Sequence, residues 1–374
     1  MADLLHNPNQ QFTGANSSGR IEYIDALRGF TMILVVFHHV VAYCWHITLK
    51  SGSMNYYFLQ MRMPMFFFIS GFVLYKASVT WDWPQIVRFF RKKIPVQLIA
   101  PFIFFLVFIH VSHIPFIEAI TNKSKAGYWF TFVLLVYYVF YATIRFCIRN
   151  ERWAGIVMVL LGLVLYKINL PAFYNAIPLP ESVKGGLSMI YWEYFLFFVL
   201  GTLVKRNFKL VEKYLDKGII LTVCILFYFL VNGFRTRIPI NRSIIELLLT
   251  LSALVFVFSF FRIHRARFSK EHALGRTLQY IGRRTLDVYL IHFFLIPERL
   301  SNFNSVFLDH PMQIIADTCT LVISLIIIAM SLLIGNIIRL SPLLAHWVFG
   351  AKITKPEPPQ THVNDSTNQQ EQRQ

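Results

Sequence analysis

Long apolar runs alternate with short charged connections along the whole chain. Scanning for runs of about 17 to 25 residues, the length that crosses a bilayer as a helix, gives about ten. They centre on residues 24–47, 56–75, 94–113, 128–148, 153–168, 187–204, 218–234, 243–262, 285–298 and 314–340. The fifth and ninth are short, and the last is long enough to tilt or to end in a surface turn at Ser341-Pro342. The pattern predicts an all-α, polytopic integral membrane protein, a bundle of about ten transmembrane helices over residues 20–350. An even count puts both termini on one side. Residues 1–19 form a polar N-terminal segment, and residues 351–374, proline-bearing and then rich in Asn, Gln, Ser and Thr, read as a disordered tail.

Composition agrees with this class. The 374 residues are 56% hydrophobic and 15% charged, with a mean hydropathy of +0.52, too apolar for a soluble enzyme of this length. The formal net charge of +17 does not indicate nucleic acid, because Lys and Arg sit in short clusters between apolar runs and not along one polar domain. With the N-terminus cytoplasmic, the inside loops hold about twice the Lys and Arg of the outside ones, which the positive-inside rule requires; both termini are therefore expected to be cytoplasmic. The outside loop 169–186, with Pro171, Pro178, Pro180 and Gly185-Gly186, reads as irregular turns. Cys44, Cys147, Cys224 and Cys319 are single and far apart, so neither a disulfide framework nor a metal site is indicated. Residues 1–19 lack an apolar core or cleavage site, which leaves insertion to the first spanning helix. No internal repeat of 20 to 50 residues is evident.

Within this apolar background, ionisable residues inside spans are costly and become functional candidates. The first run, Ile24 to His46, carries Asp25 and Arg28 near one end and His38 and His39 in its middle. On a helix Arg28 and His39 return to within roughly 20° of one face, about 16 Å apart, while His38 points about 100° away. Geometry therefore favours His39 over His38 as the partner of Arg28. Asp25 can pair with Arg28 three residues on, either as a snorkelling interfacial ion pair or as part of a site. In the second run Arg62 is either an interfacial anchor or a group placed to stabilise an anion, and Ser70-Gly71 allow close helix packing. The cluster Arg88, Arg91, Lys92 and Lys93 satisfies the positive-inside rule and as a group could hold a phosphate-rich cytosolic ligand. Later spans add Glu193, Glu246, Asp287, Tyr289 and His292; Asp317, near the outer interface, is expected to be structural or solvated.

Three stretches carry a resemblance. Asp25-Ala-Leu-Arg28-Gly with its Arg-x10-His spacing, Arg62-Met-Pro-Met-Phe-Phe-Phe-Ile-Ser-Gly-Phe, and Thr285-Leu-Asp-Val-Tyr-Leu-Ile-His292 together resemble the membrane acyltransferase-3 family over about residues 20–345. The resemblance implies a ten-helix bundle that moves an acyl group, commonly acetyl from acetyl-CoA, onto a hydroxyl of a cell-envelope glycan or lipid in the cell membrane. It implies that Arg28 and His39 form one functional unit. His39 would be general base, or a transient acyl carrier, while Arg28, oriented by Asp25, would neutralise the donor. Arg91, Lys92 and Lys93 would meet the CoA phosphates, and Arg62, Ser70, Tyr289, His292 and Glu193 would line the substrate pocket. One departure stands out: Ile-Pro-Val-Gln97 follows Lys93, where the family commonly continues with basic residues. A transporter or lipid-carrier flippase would also place His, Arg and Asp in spans, but transporters often carry inverted repeats and none is found. A structural subunit would not need Arg28 and His39 in phase. No metal and no nucleic-acid partner is expected; a lipid bilayer and a glycan or lipid-linked saccharide acceptor are.

Overall fold

The computed structural model describes residues 21–46, 53–168, 171–235, 237–297, 300, 302 and 313–349. The polar N-terminal segment and the tail expected to be disordered lie outside the described residues. Those described are helical, with no β-strand among them. In chain order the helices are α1 (Glu22–His39), α2 (Met54–Leu74), α3 (Trp83–Ile94), α4 (Ala100–Val111), α5 (Phe116–Thr121), α6 (Trp129–Cys147), α7 (Glu151–Ile168), α8 (Pro171–Ala176) and α9 (Glu181–Gly186). They continue with α10 (Phe195–Arg206), α11 (Phe208–Leu215), α12 (Gly218–Phe234), α13 (Arg242–Ile263), α14 (Ala273–Arg283), α15 (Thr285–Ile291), α16 (Gln313–Arg339) and α17 (Pro342–Phe349).

Six of the described helical stretches are long and apolar enough to cross a membrane: Glu22–Cys44, Met54–Leu74, Trp83–Val111, Trp129–Cys147, Arg242–Ile263 and Gln313–Arg339. A seventh forms if α11 and α12, bent by 75° to each other, count as one. The other expected runs fall on shorter or more polar pieces. The run 153–168 lies on α7, which carries Glu151, Arg152 and Lys167. The run 187–204 begins as a 3₁₀ turn, Met189–Tyr194, before α10, and the run 285–298 is α15 followed by a 3₁₀ turn, His292–Leu295.

Local chemistry sets several boundaries. Ser53 caps α2 by accepting from the Tyr56 amide, and Asp82 caps α3 by accepting from the Gln85 amide, with Pro84 in the first turn. That start signal places the beginning of the third long helix well before the apolar run at 94–113, so the basic cluster lies on the helix itself. Pro95 and Pro101 do not break it. Between α3 and α4 the chain winds as a π-helical turn, Pro95–Ile99, which accommodates the missing donors.

α1 and α2 occupy the middle of the bundle, and each is seated against a neighbour through glycine. A Cβ at Gly29 would lie 2.0 Å from the Leu278 carbonyl oxygen of α14, and one at Gly282 would lie 1.8 Å from that of Asp25. The same reciprocal contact joins α2 to α10: Gly71 against the Phe198 carbonyl at 1.9 Å, Gly201 against that of Phe68 at 2.0 Å. Backbones approach this closely only where both sides lack a side chain.

Polar contacts gather the connections into two sets. At one end Tyr75 Oη donates to Glu151 (3.0 Å), Arg145 pairs with Glu151 (3.1 Å), and Arg206 donates to the Glu151 carbonyl (2.6 Å). The Lys205 ammonium lies over Phe72 and Phe208, Arg262 pairs with Glu212 and Asp216, and the Lys270 amide donates to Glu22. At the other end Asp317 accepts from the Met54 amide (3.1 Å), a structural role for that carboxylate, and Trp45 Nε1 donates to Thr320 (3.0 Å). There Lys125 Nζ donates to the carbonyls of Ile120, Gly185 and Gly186, clasping two loops together.

Candidate active site

A cavity of about 720 Å³ runs between α1, α2, α3, α6 and α15. Its wall begins at the end where Glu151, Arg206 and Glu22 make their contacts, with Lys76, Gln85, Arg88, Lys92 and Lys93, and continues past Arg28, Ser70 and Gln97 to His38, His39 and Arg62. The stripe Gln85, Arg88, Phe89, Lys92, Lys93, Val96, Gln97 is the inward face of one continuous helical stretch, spaced by three and four.

Arg28 and His39 both border the cavity, Arg28 with a long hydrogen bond of 3.5 Å from its Nη2 to Thr285 Oγ1. α1 stays α-helical through His39 and then widens into a π turn, Val40–Cys44, so the phasing between the two residues is that of a regular helix. His39 Nδ1 is 2.8 Å from His292 Nε2, and His292 Nδ1 is 2.9 Å from both the Val288 and the Tyr289 carbonyl oxygens. Phe293 packs on the His39 ring with centroids 4.8 Å apart.

A second group faces the same space. Arg62, buried mid-helix in α2, donates from Nη1 to Asn55 Oδ1 at 2.9 Å, and His38 Nδ1 lies 3.2 Å from the same oxygen. Arg62 is therefore held from behind, its side chain part of the cavity wall. Ser70 and Gly71 divide their tasks: Ser70 borders the cavity while its hydroxyl donates to the Phe66 carbonyl, and Gly71 seats α2 on α10.

Tyr289 borders the cavity through its body, and its hydroxyl donates to the Gly127 carbonyl (3.3 Å). Four predicted residues stand away from the wall. Arg91 is exposed and points off the inward stripe, so Arg88 takes its place beside Lys92 and Lys93. His292 is fully buried behind His39. Glu193 sits in the 3₁₀ turn beside the wall residue Tyr194. Asp25 occupies the first turn of α1, its carbonyl against Gly282. Asp287 makes no part of the wall either; it is buried in a bidentate pair with Arg339 (2.7 and 2.9 Å) and a bond to Arg284 (3.0 Å), tying α15 to α16.

The sequence reading missed Asn55 and Gln85, and noted Gln97 only as a departure from the family pattern. Asn55 had a legible signal, seven residues before Arg62 and so on the same helical face. Gln97 carries a buried Oε1 with no hydrogen-bond partner in the structure, beside the cavity it borders. Buried polar atoms are rarely left so. Among the described residues there is no cluster of His, Cys, Asp and Glu able to hold a metal ion.

No curated protein and no solved structure matches the chain. The family model described as "Acyltransferase domain" matches residues 21–338, nearly the whole of the described region and every group that borders the cavity. On that match the chain belongs to the acyltransferase-3 family and is a multi-pass membrane acyltransferase.

Proposed function

We propose that the protein is an O-acyltransferase of the cell membrane that moves an acyl group, acetyl from acetyl-CoA, onto a hydroxyl of a cell-envelope glycan or lipid-linked saccharide. The observation that carries this reading is the single cavity joining Lys76, Arg88, Lys92 and Lys93 to His39. A CoA thioester is an anionic head on a long, thin arm; the cationic stripe suits its phosphates, and the rest of the cavity, towards His39, would take the arm. Gln97 Oε1, midway, is an acceptor for an amide N–H of that arm.

In this scheme the acceptor hydroxyl gives its proton to His39 as its oxygen attacks the thioester carbonyl. The carbonyl oxygen gains negative charge, which the guanidinium of Arg62 would stabilise, while Arg28, about 16 Å back along α1, would meet the anionic part of the donor. The C–S bond then breaks, the thiolate takes the proton back from His39, and the products are the ester and the free thiol. Asp25, in the same stretch of α1, would hold the charge balance at Arg28.

We infer ten crossings, with the two ends of the described chain on the cytosolic face. The two sets of polar contacts support this, since the connections from residue 46 through residue 217 alternate between them and the Lys- and Arg-rich ones fall in one set. A fluorescent-protein fusion at Gln374 should fluoresce; a dark fusion with normal insertion refutes that orientation.

The deciding assay supplies labelled acetyl-CoA to membranes holding the wild type, His39→Ala or His38→Ala. Label should pass to acceptor with the wild type and fail with His39→Ala. A folded His39→Ala that transfers label at the wild-type rate overturns the mechanism. Mass spectrometry of envelope glycans and lipids from a deletion strain then names the acceptor by its missing acyl mass.

A further inference from the structure

We infer that His292 is a positioning residue that holds His39 in the one tautomer able to act as base, with the proton on Nδ1 and the lone pair on Nε2. The inference rests on the acyl-transfer reading above for its consequence, but the tautomer itself follows from hydrogen-bond accounting.

His292 Nδ1 lies 2.9 Å from two carbonyl oxygens, Val288 and Tyr289. Carbonyl oxygens only accept, so Nδ1 carries a hydrogen. His292 is 0% exposed, and among the described hydrogen bonds no carboxylate meets its ring. A second ring proton would bury a charge without a counter-charge. Its Nε2 is therefore a bare acceptor, and the atom 2.8 Å away, His39 Nδ1, must be the donor. A neutral imidazole that donates from Nδ1 has its lone pair on Nε2. His39 borders the cavity and His292 does not, so the edge of the ring bound to His292 is the edge away from the ligand space.

The arrangement does more than choose a tautomer. When His39 Nε2 takes the hydroxyl proton, its ring becomes an imidazolium, and the Nδ1–H···Nε2 bond becomes charge-assisted and stronger. The partial negative charge of two carbonyl oxygens in the last turn of α15 reaches that cation through His292. A carboxylate could serve the same purpose, but a neutral imidazole is cheaper to bury among Phe293, Val288 and Tyr289. His38 is held in the same tautomer, its Nδ1–H donating to Asn55 Oδ1, but it lacks the stabilisation of a cation. Its Nδ1 shares Asn55 Oδ1 with Arg62, so its hydrogen-bond chain ends at a positive charge.

The test reads the tautomer and the chemistry separately. Full-length protein labelled with ¹⁵N-histidine is compared by NMR with His39→Gln, to assign the His39 ring, and with His292→Leu. The wild type should show His39 protonated at Nδ1, bare at Nε2, and coupled through the hydrogen bond to His292 Nε2. In His292→Leu the coupling disappears and His39 populates both tautomers. Turnover should fall about 100-fold, the scale of a general-base contribution, with the KM for acetyl-CoA unchanged. His292→Gln, whose side-chain oxygen can accept where Nε2 did, should recover most of the loss. A wild-type His39 protonated at Nε2 overturns the inference, as does wild-type turnover in His292→Leu while His39→Ala is inactive. Should His292→Leu fail to fold, the wild-type spectrum and the His292→Gln rate decide. An active His39→Ala would instead sink the acyl-transfer reading and leave the tautomer to stand on its spectrum.

Discussion

Asn55 offers the sharpest way to ask whether the charge of Arg62 is used. Its Oδ1 accepts from Arg62 Nη1 at 2.9 Å and meets His38 Nδ1 at 3.2 Å, and the residue is buried. Of the described contacts, Asn55→Leu removes one hydrogen bond to a charged group and one to a neutral ring. The first contributes about 1.5–3 kcal/mol and the second about 1, so a loss of roughly 3 kcal/mol in stability is expected, with Arg62 free to turn. Asn55→Asp does the opposite to the structure: a carboxylate at the same distance grips Arg62 and keeps the bond to His38, so melting should hold near the wild type. It places a negative charge, however, behind the guanidinium. An oxyanion one bond beyond Arg62 would lie about 6 Å from that carboxylate, and at an effective dielectric of about 20 the repulsion is roughly 3 kcal/mol, about 100-fold in rate. Thermal melting followed with a cysteine-reactive dye, and single-turnover acyl transfer from labelled acetyl-CoA, measure the two effects. Asn55→Asp should melt like the wild type and turn over about 100 times more slowly. If it melts normally and transfers at the wild-type rate, Arg62 does not face the developing charge and its assignment is wrong.

Gln97→Leu should raise the KM for acetyl-CoA several-fold with kcat nearly unchanged, because a lost neutral hydrogen bond of about 1 kcal/mol affects ground and transition states alike; initial-rate kinetics read this directly. Arg88→Ala should weaken donor binding more than Arg91→Ala, since only Arg88 borders the cavity; equilibrium binding of CoA compares them, and equal losses would place the donor elsewhere. Gly127→Ala should slow turnover without unfolding the bundle. Gly127 has a φ of +95° and a Cβ there would lie 2.1 Å from the Phe293 ring, which rests on His39. Wild-type kinetics with normal melting would show that Phe293 has room to move.

Much of this architecture is legible in the sequence because a bilayer leaves few options: apolar runs must be helices, and charge in a run must find a purpose or a partner. Arg28, His39 and Arg62 were visible for that reason. Helical phase within α1 separated His39 from His38, yet both border the cavity, since the partner that distinguishes them, His292, comes from another helix. The start of α3 was misplaced because its first turns are polar and amphipathic, invisible to a search for apolar length. With α3 shifted, Arg88 replaces Arg91 on the inward face. α14 was missed likewise; its contact with α1 depends on Gly29 and Gly282 meeting, a pairing no single-helix pattern encodes. Asp287 looked like a candidate for chemistry and is a structural anchor, because its partner Arg339 lies 52 residues further on.

That anchor bears on how the protein is made. His39 and His292 are 253 residues apart in the chain, Trp45 and Thr320 are 275 apart, and α15 is fastened through Asp287 to Arg339 near the end of α16. Segments enter the membrane in the order of synthesis, so His39, the base of the proposed mechanism, waits without His292 while most of the polypeptide is still being translated. Its partner is locked in position only when the last long helix has been inserted. A chain halted before Arg339 would thus carry every cavity-lining cation and both α1 histidines yet, on the proposed mechanism, turn over as slowly as His292→Leu. In that scheme the order of assembly alone delays full activity until the last long helix is in place.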